Sequence, residues 1–596
     1  MKPTHGRTEG EIRSAGSPCR MEGLEPRLLL ADELFIGIGD VPFRENGPQL
    51  PDDKIEVPVT VQNISAMQIS GRVRIQIWAS PDDVLGDVDD FLCFEGNINI
   101  NPRANEIQTR KVKARLPLDI LPITYKLIVT VIDESMLPGD ASFMTTEGVD
   151  DEVFGVRWQF GQVDGRSGNT TLKFMNNSGV VYKVNFSKGF EGHEQGEVES
   201  FYVLNREARG GFPGDQTINL QYQNTGFDDT ISVRRVGGPS DPDLFHLSHI
   251  SAFGTRVEGH DLGFFDASGV TLYDTAQFLG LHKLFLGNVL VAGEIRIEDN
   301  LFQRGDMNGL EPFNDRVSIK VKEVVGTLFE IHGTLANMQA TSFTPEPEGL
   351  RGALFGGIFA NTIEKVNIKN DYEGSVEVQP FARGSGESDR VVDAFIVGGQ
   401  LSGVFFANGG VAKIQAGSID DFEAAIEGRL ERLIVKGDLG MNPLQSRGSL
   451  NNIIGATDIS RVDITGSLFD THLFAGLDFI PFLRGSALNP GDLYGGVISN
   501  AAFTSGIIGR INIGGDMLIS QIAAGVDPNS NSFFDNDGFL VGDRSVSRIG
   551  PIKVGGLIGM ANFVSGDFPD NVSIDGSSYS TMDDPDDIFV HVFPPI

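Results

Sequence analysis

Leu430-Glu-Arg-Leu433-Ile-Val435-Lys-Gly437-Asp-Leu439 is one copy of a ten-residue phrase, apolar-x-x-apolar-x-apolar-x-Gly-x-apolar, that keeps returning through the C-terminal half of the chain. Other copies stand at Leu281–Leu290, Ile459–Leu468, Ile508–Met517 and Ile549–Ile558, with looser ones beginning at Ile363 and Val411. Inside each copy the apolar residues alternate, as in Val462-Asp-Ile464 and Ile552-Lys-Val554, so one face is buried and the other is wet. The glycine then lets the chain turn sharply. Short strands and sharp turns, repeated with a drifting period, predict a solenoid rather than a catalytic globule.

A second regularity supports the first. Glycines recur ten residues apart at Gly399/Gly409, Gly466/Gly476, Gly496/Gly506, Gly515/Gly525 and Gly556/Gly566. Each coil would then hold a strand from the phrase, a corner, a second strand and another corner. The expected fold is all-β: an N-terminal Ig-like β-sandwich followed by a parallel β-helix, or β-solenoid. A glycine-rich antiparallel sandwich also alternates and is the competing fold. The 42 Phe against 2 Trp suit stacked interior rows.

At 596 residues the chain exceeds what one compact core holds, a ceiling a solenoid escapes because each coil packs only on its neighbours. Gly stands at 74 of 596, above the usual ~7%, and has no collagen period. The net charge of −34 disfavours nucleic acid and anionic lipid, since no basic face is visible at this level. The two cysteines, Cys19 and Cys93, make no disulfide framework. No run of ~18 apolar residues occurs, so no transmembrane helix is expected.

Residues 1–20 lack the apolar core of a secretory signal, and Met21 offers a second start. The following segment, Leu24-Glu25-Pro26-Arg27-Leu28-Leu29-Leu30-Ala31, resembles the LEPR-XLL sorting segment of large repeat-rich surface or exported proteins of planctomycetes. That resemblance implies a route out of the cytoplasm, to the cell surface, envelope or extracellular space. The stretch VPVTVQNIS…RVRIQIWASPDDVLGDVDD resembles the bacterial cell-adhesion-related domain, which implies a spacer or adhesive module. The expected organisation is a leader over 1–32, an Ig-like sandwich over 33–148, a β-rich cap or first coils over 149–245, the solenoid over 246–575 and an acidic tail over 576–596.

Chemical motifs are sparse. No nucleophile elbow, P-loop or dinucleotide fingerprint is present. Asp527, Asn529, Asn531, Asp535 and Asp537 alternate as in a calcium loop and are the candidate Ca²⁺ ligands, although Ser532 and Gly538 stand where an EF-hand needs Gly and Glu. The loop Asp82, Asp83, Asp87, Asp89 and Asp90 is a second acidic cluster, and His246, His249, His260 and Asp261 are a candidate metal group. Asp420/Asp421, Asp458/Asp463 and Asp470/Asp478 could supply a carboxylate pair for polysaccharide cleavage. The reading favours a non-enzymatic structural or adhesive protein without a catalytic residue or cofactor beyond possible Ca²⁺. Its partner would be extracellular matrix, an envelope protein or polysaccharide, met by an acidic, loop-bearing face. A carbohydrate-active β-helix enzyme and a calcium-dependent adhesin are the alternatives.

Overall fold

The computed structural model describes residues between Glu33 and Tyr579 in segments. Outside the description lie 1–32, 580–596, the longer stretches 157–170, 188–201, 208–216, 253–261, 299–315, 346–355, 380–389, 443–451, 479–501 and 528–538, and some shorter ones. The described residues are all-β, with no helix. They divide into two compact units, one holding 1–43, 54–115 and 125–154, the other 44–53, 116–124 and 155–596.

The first unit is made of strands whose alternate residues are apolar. Lys54–Asn63 buries Ile55, Val57, Val59 and Val61, and it pairs antiparallel with both Ile107–Arg115 and Glu33–Ile38. In the second sheet, Gly71–Ser80 buries Val73, Ile75 and Ile77 between Phe91–Ile100 and Thr124–Met136, again antiparallel. A period of two with β-branched residues on the buried positions is what a one-sided sheet requires. Tyr125 closes the apolar layer with its ring 5.9 Å from Phe91 and from Phe154.

The second unit begins with antiparallel hairpins, Thr171–Met175 with Val181–Phe186 and Tyr202–Glu207 with Thr217–Tyr222. From there onward most pairing turns parallel and repeats, a strand bonding to one a full pass of the chain later, while Leu477–Asp478 with Ala502–Phe503, Val526–Asp527 with Phe539–Leu540 and Val572–Ile574 with Ser577–Tyr579 pair antiparallel. Three ladders result. The first carries the repeated phrase. The second holds strands such as Gln400–Ala407, which pairs with the opening part of Ser418–Leu430. The third is made of short pieces such as Leu468–Phe469 and Met517–Leu518.

In the phrase ladder the fourth phrase positions stack in register: Phe395, Ile414, Leu433, Val462, Ile511 and Ile552 follow one another, every one at most 2% exposed. Ile363, Val392, Val411, Leu430, Ile459, Ile508 and Ile549 do the same at the first position. Burial of each such side chain stabilises by roughly 1.5–3 kcal/mol. Between the ladders runs an aromatic column in which Phe343 meets Tyr372 at 4.9 Å, Tyr372 meets Phe395 at 5.2 Å and Phe395 meets Phe405 at 5.5 Å.

The two glycine series do different work. Phrase glycines bond to one another from pass to pass, Gly437 N–H to Gly417 O at 2.6 Å, Gly466 to Gly437 at 3.0 Å, Gly515 to Gly466 at 2.8 Å and Gly556 to Gly515 at 2.9 Å. Their φ angles are not left-handed; a Cβ at Gly466 or Gly556 would instead collide with the carboxylate of Asp438 or Asp516 on the pass before. Close approach, rather than a sharp turn, therefore demands glycine there. In the second series Gly409, Gly476 and Gly525 do make left-handed corners, with φ of 149°, 100° and 65°, whereas Gly506 is demanded by its close approach to the Gly476 backbone.

Candidate functional site

The residue following the phrase glycine ties each pass to the next. Asp438 Oδ1 accepts from Ser467 N at 2.7 Å and Asp516 Oδ1 from Leu557 N at 2.7 Å, and Asp371 Oδ1 does the same for Gln400 N at 2.8 Å in the copy that lacks the glycine. These carboxylates are structural, each satisfying a corner amide that the ladder leaves unpaired.

Two groups of carboxyl side chains have perturbed chemistry. At the corner between the short ladder and the second, residues on successive passes adopt left-handed backbone: Gly403 (φ 100°), Asp421 (50°), Gly440 (85°), Asp470 (40°) and Ile519 (50°). This brings together Asp420, Asp421 and Asp470 from the sequence candidates and adds Glu373. Burial first, and then the Asp421 charge, raises Glu373; burial also raises Asp420 and Asp470, the latter with help from Asp420. The side-chain oxygen of Asn452, fully buried, accepts from Phe422 N at 3.1 Å, and its amide faces Asp420.

The second group lies on the outer side of the second ladder, where register places Gln277, Arg296 and Glu330 on consecutive passes. His332 Nε2 lies 2.8 Å from Glu330 Oε1, and Arg296 Nε lies 3.3 Å from Glu298 and 3.7 Å from Glu330. A hydrogen bond to Glu330, partial burial and the Glu330 charge push Glu294 up to about 7, against Arg296 and His332. A carboxyl raised by a neighbouring carboxyl with which it shares a hydrogen bond is the arrangement of an acid–base pair.

The remaining sequence candidates separate. Asp458 binds Arg429 at 3.4 Å and accepts from Ile507 N at 2.9 Å. Burial would raise Asp463, yet hydrogen bonds from Asn512, Arg461 and Arg432 outweigh it and hold its carboxyl below the usual range. Both are salt-bridged on the phrase ladder. Asp478 is described only in its backbone. In the acidic loop, Asp82 Oδ1 caps Val84 N at 3.1 Å and Asp90 Oδ2 accepts from Gly86 N and Asp87 N at 2.7 and 3.0 Å, so these carboxylates close their own turn. His249 Nδ1 contacts Thr275 Oγ1, while the side chain of His246, and His260 and Asp261 entirely, lie outside the described residues. So do Asn529, Asn531, Asp535 and Asp537; Asp527 is described as backbone pairing with Phe539. The sorting segment Leu24 to Leu30 is also outside. Among the described residues no cluster of three or more His, Cys, Asp or Glu is placed to hold a metal ion. Nor is any helix there long and apolar enough to cross a membrane.

One feature was missed in the sequence. The third phrase position points outward and is Lys283, Lys365, Lys413, Arg432, Arg461 and Arg510, while Ser318, Ala394 and Pro551 hold it on other passes of the ladder. Arg461 and Arg510 are direct register partners, and the pairings Ile414–Leu433 and Leu433–Val462 set Lys413 and Arg432 in the same row. A chain of net charge −34 thus carries a basic face, contrary to the expectation drawn from composition. Toward its N-terminal end the same face holds a groove of about 730 Å³ lined by Phe264, Phe285, Lys283, Arg316, Ser318 and Thr230 among others.

No family model matches the chain, and no curated protein is similar to it. Among solved structures it is similar to the CARDB domain of the PF1109 protein from Pyrococcus furiosus, determined in complex with di-metal ions. The identity is 16%, over 21% of this chain and 94% of that one, with a TM-score of 0.14. A likeness at that score carries no argument about function, which rests on the residues themselves.

Proposed function

We propose that this is a non-enzymatic structural and adhesive protein of the cell surface or extracellular space. In this reading the antiparallel sheets of residues 33–148 form an Ig-like spacer, and the parallel ladders wind as a β-solenoid through 246–575. The observation that supports it most is the unbroken register of the phrase ladder, in which one buried apolar side chain stacks on the next from Phe395 to Ile552. Such stacking makes each pass depend on its neighbours and gives a stiff, extended support rather than a pocket. The Leu24–Ala31 segment supplies the proposed route of export, and loops inserted between passes supply specificity. Antibody labelling of intact against permeabilised cells of the source organism tests the placement: label confined to permeabilised cells refutes it.

The Glu294–Glu330–His332 group favours a second reading, cleavage of polysaccharide with Glu294 as acid. Incubation with a panel of neutral and acidic polysaccharides separates the two. Release of reducing ends or unsaturated products, lost in Glu330→Gln, establishes the enzyme; intact polymers support the structural role.

A further inference from the structure

We propose that the outer face of the phrase ladder binds an extended acidic polysaccharide, laying about one carboxylated sugar against each pass of the chain. The inference deepens the structural and adhesive reading and rests on it. Lys413, Arg432, Arg461 and Arg510 stand on four consecutive passes in one row. Strands in register lie ~4.8 Å apart, so the row runs about 15 Å without interruption. Like charges stacked directly across a ladder repel and cost stability. Here they are only partly compensated: Asp463 serves both Arg432 (3.2 Å) and Arg461 (2.7 Å), while Lys413 and Arg510 turn to the neutral amides of Gln415 and Asn512. The adjoining outward row adds Lys320 and Lys553 and holds only Asp266 and Asp463 as acids. The carboxylates flanking on the other side are already engaged, Glu364 by Arg316 and both Glu431 and Asp393 by Arg390. A positive row only partly compensated on an otherwise strongly acidic chain is complementary to a linear polyanion.

Spacing selects among polyanions. The interstrand distance is close to the length of one sugar residue in an extended glycan, whereas each strand of a nucleic-acid duplex carries a phosphate every ~3.4 Å of its axis, and any nucleic acid would meet strong repulsion from the rest of the chain. Several passes before Lys413 on the same face, beyond Ala394 and Ser318, Phe264 and Phe285 pack edge to face at 4.9 Å beside Lys283, in the groove already described, which Asp229 also lines. Half-buried aromatic edges next to a cation and hydroxyls from Thr230 and Ser318 suit the mixed apolar and polar faces of a pyranose. Lys320 Nζ already lies over the Phe285 ring, 5.8 Å from its centre, where a nucleobase would need to stack.

The test uses the full chain and three probes: polygalacturonate, its methyl ester, and single-stranded DNA of matched length, each titrated by calorimetry at low and physiological salt. Polygalacturonate should bind, more weakly as salt rises, and the uncharged ester should not. The triple variant Lys413→Glu, Arg432→Glu, Arg510→Glu should lose about tenfold or more in affinity. The matching triple alanine variant should lose less, in the same direction, with far-ultraviolet circular dichroism and melting temperature unchanged. Equal binding by wild type and both triple variants, equal binding of the ester, or tighter binding of DNA would each overturn the proposal. Absence of binding to a polymer that stays intact refutes this inference alone; shortening of the polymer refutes the non-enzymatic reading instead.

Discussion

His472 should make one stretch of the fold sensitive to acid. It sits on the second ladder, in register with Ile453 and Gln521, and is 2% exposed. Burial pushes its imidazole down to about 4, against a hydrogen bond with Gln521 that works the other way. In the unfolded chain the ring takes its proton near 6.5. Between those values the unfolded state binds more protons than the folded one, so stability is full above 6.5 and falls as the pH drops toward 4. The loss from this residue is about 2 kcal/mol at pH 5 and about 3 kcal/mol at pH 4. Because a repeat array opens locally, the assay is the protection free energy of the amides of Thr471–Ala475 and Gln521–Ala524 by hydrogen exchange, compared between wild type and His472→Leu. Each protein is referred to its own value at neutral pH, so any packing change cancels. The wild type should lose those amounts in excess of the variant. Parallel losses in both proteins, or an imidazole titrating near the unfolded value by NMR, would refute the reasoning.

Other perturbations probe the remaining links. Gly440→Ala sets a Cβ against the carbonyl of Phe469 at a left-handed φ of 85°, so backbone must shift; a loss of about 2 kcal/mol or more is expected, and an unchanged melting temperature would contradict the close-approach argument. Phe395→Ala opens the aromatic column between Tyr372 and Phe405 and should cost about 3–5 kcal/mol in urea denaturation. Asp516→Ala leaves Leu557 N without its acceptor and should cost about 1 kcal/mol, whereas Asp516→Asn, which keeps an oxygen in place, should recover most of it. Glu330→Gln removes the acidic neighbour that raises Glu294, so the Glu294 carboxyl should return toward the ordinary range in a carbon-13 titration; a value still near 7 would show that burial dominates.

Much of the second unit was legible because its periodicity is local. Apolar residues at phrase positions one, four and six can be counted along Leu430–Leu439, and each is buried. The basic row was equally countable, at Lys413, Arg432, Arg461 and Arg510, but net charge averages over the whole chain and hid it. The carboxyl corner was not legible in that way. Glu373, Asp421 and Asp470 lie on different passes, separated by segments of unequal length, and only stacking brings them to one corner.

The sequence by itself determined strand and turn, since alternation and glycine act within a few residues of chain. It also determined which faces are apolar. The tertiary structure decided what each glycine is for. Gly466 and Gly476 look alike in the sequence, yet the first is required by the Asp438 carboxylate on the pass before and the second by a left-handed corner. It also decided that Lys413, Arg432, Arg461 and Arg510, well separated along the chain, form one row, because parallel register converts sequence period into spatial adjacency.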